Sequence, residues 1–167
     1  MKKDFFDKGL KTELIEIFES VKDVVKSTEG RSRSGLMLGL QELGSTLNGF
    51  IGAYYPISSN IIVMNKTPIR RIIETNSKLF NPYSFHVLLH EYIHSLGFLD
   101  ESLTRKKTYD ISKKKFGENH IITKLSVEME KYFPNLVYPI QGWIPNNNPL
   151  IEIVTGFDKS SFVDYIT

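Results

Sequence analysis

The sequence predicts an α+β fold, a small mixed sheet packed on helices, in a single domain covering residues 1–167. Three observations lead there. Residues 4–26 place apolar side chains at helical spacing, residues 35–65 break into short apolar and aromatic runs separated by turn formers, and residues 81–132 return to a helical period. A chain of 167 residues is long enough to bury a core without staples. It contains no cysteine, which excludes disulfides, iron–sulfur clusters, thiol catalysis and cysteine-based zinc fingers. A net charge of +2 is too small to point to nucleic acid or an anionic membrane as the main partner.

The first helix is expected over Asp4–Lys26, with Phe6, Leu10, Leu14, Ile17, Phe18, Val21 and Val25 on one stripe. Its Asp4, Asp7, Lys8 and Lys11 interrupt any apolar targeting segment, and no apolar run approaches bilayer length, so a cytoplasmic location is expected. The following "STEGRSRSG" reads as a solvated polar loop, with anion binding by Arg31 and Arg33 as the lesser alternative. "GLMLGLQELG", "GFIGAYYPI" and "NIIVMN" then read as two or three strands, with Pro56 at an edge or bend because it has no N–H for a ladder. "TPIRRIIETNSKLF" begins a short helix at Pro68 or forms a surface connection.

Asn81 and Pro82 suit the N-cap and first position of a helix that runs to Leu96 and stops at Gly97. Further helices are expected over Ser102–Phe116, ended by Gly117 and carrying two basic runs on a solvated face, and over His120–Tyr132. From Pro134 the chain, including Trp143, reads as loop-rich, closing with a turn of helix after Asp158.

The chemistry concentrates in "HVLLHEYIHSLGFLDE", residues 86–101. At about 100° per residue, Phe85, Leu88, Leu89, Tyr92 and Leu96 share one side of the helix, while His86, His90 and His94 share the other, flanked by Glu91. One turn of spacing lets the His90 and His94 imidazoles reach a single zinc ion, and Glu91 stands beside them as a general base for a water on that ion. His86 lacks a following acid and reads as an accessory group. Catalytic zinc generally takes three protein ligands. Gly97 can turn the chain back, which makes Asp100 the leading third ligand, with Glu101, His120 and Glu128 as the other candidates.

Residues His90, Glu91, His94, Gly97 and Asp100 spell HExxHxxGxxD. This resembles the metzincin zinc signature with aspartate in the third-ligand slot, the variant of snapalysin-type metallopeptidases. The resemblance implies a zincin-like single domain in which the sheet packs on an N-terminal helix and an HExxH active-site helix. It also implies an edge strand that binds substrate, for which "NIIVMN" is in the expected place. A metzincin would carry a methionine in a turn beneath the metal, whereas Met129, the single methionine downstream, reads as helical. The function so implied is zinc-dependent hydrolysis of peptide bonds, with Glu91 as the base and a peptide or protein as substrate. The alternative is a non-catalytic peptide- or protein-binding module whose metal is structural or absent. Substrate specificity and oligomeric state are not legible.

Overall fold

The computed structural model describes residues 8–45, 49–133 and 150–158. Helix α1 (Lys8–Glu29) leads into strands β1 (Met37–Gln41), β2 (Ala53–Tyr54) and β3 (Ile61–Asn65), followed by helix α2 (Lys66–Asn76). A single 3-10 turn, Ser77–Leu79, feeds helix α3 (Phe80–Ser95), which is succeeded by α4 (Glu101–Phe116), α5 (Ile121–Tyr132) and strand β4 (Glu152–Val154). The mixed α+β class is therefore as expected. Among the described residues no helix is long and apolar enough to cross a membrane.

The sheet has the order β2-β3-β1-β4, with β1 and β3 parallel and both outer strands antiparallel to their neighbours. Alternation along the strands turns Leu38, Leu40, Ile62, Met64 and Val154 toward the helices, where they join Leu14, Phe18, Val21 and Val25 of α1 in one core cluster. Helix α3 lies at the centre of that cluster, packed on α1, α4 and α5 and against β2 and β3. This explains why so much of it is buried: Tyr83, Val87 and Glu91 are covered as well as Phe85, Leu88, Leu89 and Tyr92.

Several expectations are corrected. "NIIVMN" is not the edge: β3 is paired on both sides, and the short β2 takes the edge position. Asn81 does not cap α3, because the 3-10 turn runs directly into Phe80 and leaves Asn81 inside the first turn with Pro82, where a missing N–H costs no intrahelical bond. Part of the tail is strand: β4 pairs with β1, aligning Leu38 with Val154. Its "IEIV" alternation was the available signal. The residues before Lys8, Trp143 and the turn of helix expected after Asp158 lie outside the described residues.

Arg33 is not a solvated loop residue. Its guanidinium donates to Tyr55 Oη (2.9 Å), Ser95 O (2.7 Å) and Ser59 O (2.8 Å), and its backbone N–H donates to Tyr92 Oη (2.8 Å). It thereby satisfies a carbonyl at the C-terminus of α3 with a positive charge, where the helix dipole favours one, and ties that end to the β2–β3 connection. Arg31 instead lies over the Phe98 ring, 4.9 Å from its centroid. The tail is anchored by Phe157 stacked on Phe18 and by a buried ion pair between Lys22 and Asp158, whose other oxygen accepts from Leu36 N–H (3.0 Å). Glu152 of β4 bridges Lys11 and Lys66, and these two ammonium groups hold its carboxyl below the ordinary range.

Asn65, fully buried at the end of β3, connects the sheet to the cleft side of the fold. Its side-chain oxygen accepts from Thr67 N–H, capping α2, and from Leu43 N–H (both 3.0 Å). Its amide donates to Gly44 O (3.0 Å) and Ile51 O (2.9 Å), while its backbone N–H donates to Gly52 O (2.9 Å). All four side-chain bonds are thus used, and no smaller residue can make them. Asn65→Ala is expected to lower stability by roughly 2–4 kcal/mol through a lost cap and orphaned loop groups. Urea unfolding measures this, and a loss within the range of an ordinary surface substitution would contradict the role.

Candidate metal centre

Helix α3 ends where Leu96 N–H bonds back to Tyr92 and Ile93, and Gly97 then takes φ +108°, a conformation that strains any residue with a Cβ. The chain reverses through Phe98 and Leu99 and starts α4 at Glu101, which packs against α3. Reversal sets the first residue of α4 beside the histidine face. One ligand atom each from His90, His94 and Glu101 lies within 4.8 Å of the others, the one group among the described residues with spacing able to hold a metal ion.

The donor geometry is specific. His94 Nδ1 is 2.7 Å from Phe98 O, a carbonyl that can only accept, so this nitrogen carries the proton. Thr104 Oγ1 packs against the same pair, 2.9 Å from Phe98 O. The remaining ring nitrogen, Nε2, faces both Glu101 oxygens at 3.3 Å, and His90 Nε2 is 2.6 Å from Glu101 Oε1. With its proton on Nε2, His90 donates to Glu101 Oε1, and the unprotonated Nε2 of His94 faces the same carboxylate, so both rings and the carboxylate point at one place where a cation can replace that proton. A histidine whose far nitrogen donates to a backbone carbonyl is the usual arrangement of a metal ligand, since it fixes both tautomer and ring orientation. The set therefore fits a divalent cation with two imidazole nitrogens and one carboxylate oxygen.

Burial sharpens the contrast among the acids and bases. The His90 and His94 side chains are 15% exposed and Glu101 is 54% exposed, so the imidazoles are mostly covered while the carboxylate faces solvent. Burial lowers the pKa of His90, outweighing the opposing pull of Glu101. Glu101 is itself raised by burial, but the two imidazoles together hold it below the ordinary range. Glu91 is pushed up to about 7 because it is buried, with His94 lowering it and Glu101 raising it further. His86 is lowered to about 3 by burial and by His90, so it stays neutral at physiological pH.

His90, Glu91 and Glu101 share a cleft of about 910 Å³ lined, among the described residues, by the approach to β2 and by α3, α4 and α5. The structure brings His90 and His94 together as expected and sets Glu91 in the cleft beside them. It does not bring Asp100 to them. Asp100 is the N-cap of α4, and its Oδ1 accepts from Leu103 N–H at 2.8 Å. Helix α4 begins one residue earlier than the periodicity suggested, which makes Asp100 the cap and Glu101 the ligand candidate. Two adjacent acids before a helical run left both roles open in sequence. His120 caps α5 through Ile122 N–H (3.2 Å) and stacks on Phe116, while Glu128 is exposed and faces Lys131 (3.7 Å). Met129 lies within α5 and packs against the core. Thr104 and Arg33, which support His94 and the end of its helix, carried no sequence signal.

Comparison of the chain with known protein families, with curated proteins and with solved structures finds no match in any of the three. The site is consequently read from its own chemistry. Were the cluster to hold zinc, Glu101→Ala would weaken that binding by more than the roughly 10–100-fold that outer-sphere partners contribute. Asp100→Ala should leave zinc affinity nearly unchanged and cost about 1 kcal/mol of stability through the lost cap. Competition with a chromophoric chelator and urea unfolding separate the two, and the opposite pattern would make Asp100 the ligand.

Proposed function

We propose that the chain is a zinc-dependent metallopeptidase, with His90, His94 and Glu101 as metal ligands and Glu91 as general base. The observation that carries the reading is the convergence of two imidazole nitrogens on one carboxylate, with His94 already donating its other nitrogen to Phe98 O. Three protein ligands would leave one position of a zinc ion for water, as a catalytic site requires and a closed structural site does not. A bound zinc ion would supply Lewis acidity, polarising a substrate carbonyl and making water a stronger acid.

Glu91 supports catalysis rather than structure. A buried carboxyl poised near pH 7 is suited to accept a proton from water attacking a carbonyl and to return it to the departing amine. It lines the cleft adjacent to His90, where a reacting water would stand. The edge position of β2 offers an extended peptide a strand to pair with along the cleft, and side-chain pockets would then set specificity. Ile51 and Val127 of the cleft lining are 61% and 63% exposed, apolar surface that suits a peptide. The same surface serves the second reading, a binding module without turnover.

Glu91→Gln distinguishes the two. The substitution keeps the shape of the side chain and removes its basicity, so zinc content should be unchanged while peptide hydrolysis falls by about 10²–10⁴-fold. A variant that keeps both its metal and its full activity would remove Glu91 from the mechanism. Peptide binding by the wild type with no hydrolysis at any zinc occupancy would favour the binding module.

A further inference from the structure

Among the described residues that line the cleft, Arg105 of α4 is the one lysine or arginine. The lysines of the same helix lie outside the lining. Arg105 is exposed and, among the described residues, makes neither a hydrogen bond nor an ion pair. The usual partner of an arginine on a helix is an acid four residues earlier, and that residue is Glu101. Glu101 is instead turned onto the histidines, 2.6 Å from His90 Nε2 and 3.3 Å from His94 Nε2. The guanidinium therefore stands in the cleft without a counter-ion.

Its position couples it to the cluster. Long helical side chains lean back over the preceding turn, which for Arg105 is the turn that carries Glu101. The two residues are about 6 Å apart along the axis of α4. Burial does most to lower the pKa of His90, and Arg105 is among the charges that lower it further. A guanidinium that disfavours positive charge on His90 also disfavours a cation held there, and an anion entering the cleft offsets that cost. The lining has one more charged residue beyond the cluster and Glu91, the exposed Glu130 of α5. It forms no ion pair with Arg105, and of these two charges Arg105 is the one that acts on His90.

We propose that Arg105 is a specificity-determining residue that holds a carboxylate of the peptide substrate close to the cleaved bond, supplied by an acidic side chain or by the free C-terminus. The inference rests on the peptidase reading above and deepens it. The planar fork of the guanidinium can donate two parallel N–H bonds to the two oxygens of a carboxylate. A carboxamide offers one acceptor in place of two, and an ammonium is repelled. An extended peptide advances about 3.3 Å per residue, so a carboxylate within about two residues of a bond held at the metal is in range of Arg105.

The test uses peptides that carry Glu, Gln or Lys at each position flanking the cleaved bond, each made with a free and with an amidated C-terminus. They are assayed with the zinc-loaded wild type, Arg105→Gln and Arg105→Lys, and zinc content and thermal unfolding are followed in parallel. The wild type should favour a carboxylate at one position by on the order of tenfold in kcat/KM. A preference for Glu that survives amidation assigns the side chain, and a preference for the free acid over the amide assigns the terminus. Arg105→Gln should lose the preference and Arg105→Lys should keep part of it, since the charge remains and the fork is gone. Both variants should match the wild type in zinc content and melting temperature. The proposal is overturned if no carboxylate is favoured at any position or if Arg105→Gln keeps the preference. It is also overturned if that variant loses zinc or stability, which would give the guanidinium a partner within the fold. Absence of all cleavage would instead count against the peptidase reading. Calorimetric titration of the same peptides would then decide the role of Arg105: tighter binding of a carboxylate-bearing peptide, lost in Arg105→Gln, supports it, and equal binding overturns it.

Discussion

The site depends on the chain reversal at Gly97. Helix α3 presents His90 and His94 one turn apart, but two imidazoles on one helix leave a cation's remaining positions unfilled. The positive φ of Gly97 lets the next residues double back, and two consequences follow from the same turn. Phe98 O comes within reach of His94 Nδ1 and fixes which nitrogen faces the cleft. Glu101 then arrives at the first position of α4 with its carboxylate against both rings. The tautomer of His94 and the approach of the Glu101 carboxylate are thus set together by four residues of backbone.

The rest of the fold holds this turn and its helix in place. Arg33 bonds the Ser95 carbonyl of α3 and the hydroxyl of Tyr92, so the end of the helix just before the reversal is tied to the β2–β3 connection. On the other side, Asn65 fixes the segments leading out of β1 and into β2, the edge strand that forms part of the cleft. The burial that gives α3 its packing also shapes its chemistry. Glu91 is covered because α3 is wrapped on several sides, and that covering raises its pKa into the range useful to a general base. A helix lying on the surface with the same four residues would carry an ordinary glutamate.

Much of this was legible in the sequence because the relevant signals are local. Helical spacing located His90 and His94, and the glutamate between them singled out that pair over His86. Gly97 and Gly117 marked helix ends where the structure has them. Signals that depend on distant partners were not legible. Nothing near Asn65 announces that its amide joins Gly44 and Ile51, or that Arg33 reaches Ser95 across more than sixty residues. The order of strands in a sheet is likewise set by tertiary pairing, so "NIIVMN" could be read as a strand but not as an interior one. The choice between Asp100 and Glu101 turned on where α4 begins, and helix boundaries are weakly specified to within a residue or two.

The central claim is that this cluster of two imidazoles and a carboxylate exists to hold a metal ion. Elemental analysis of the chain purified without added metal, repeated after incubation with zinc and removal of the excess, tests it most directly. The account predicts about one zinc per chain, bound at His90, His94 and Glu101. A chain that takes up no zinc even when it is supplied would contradict it.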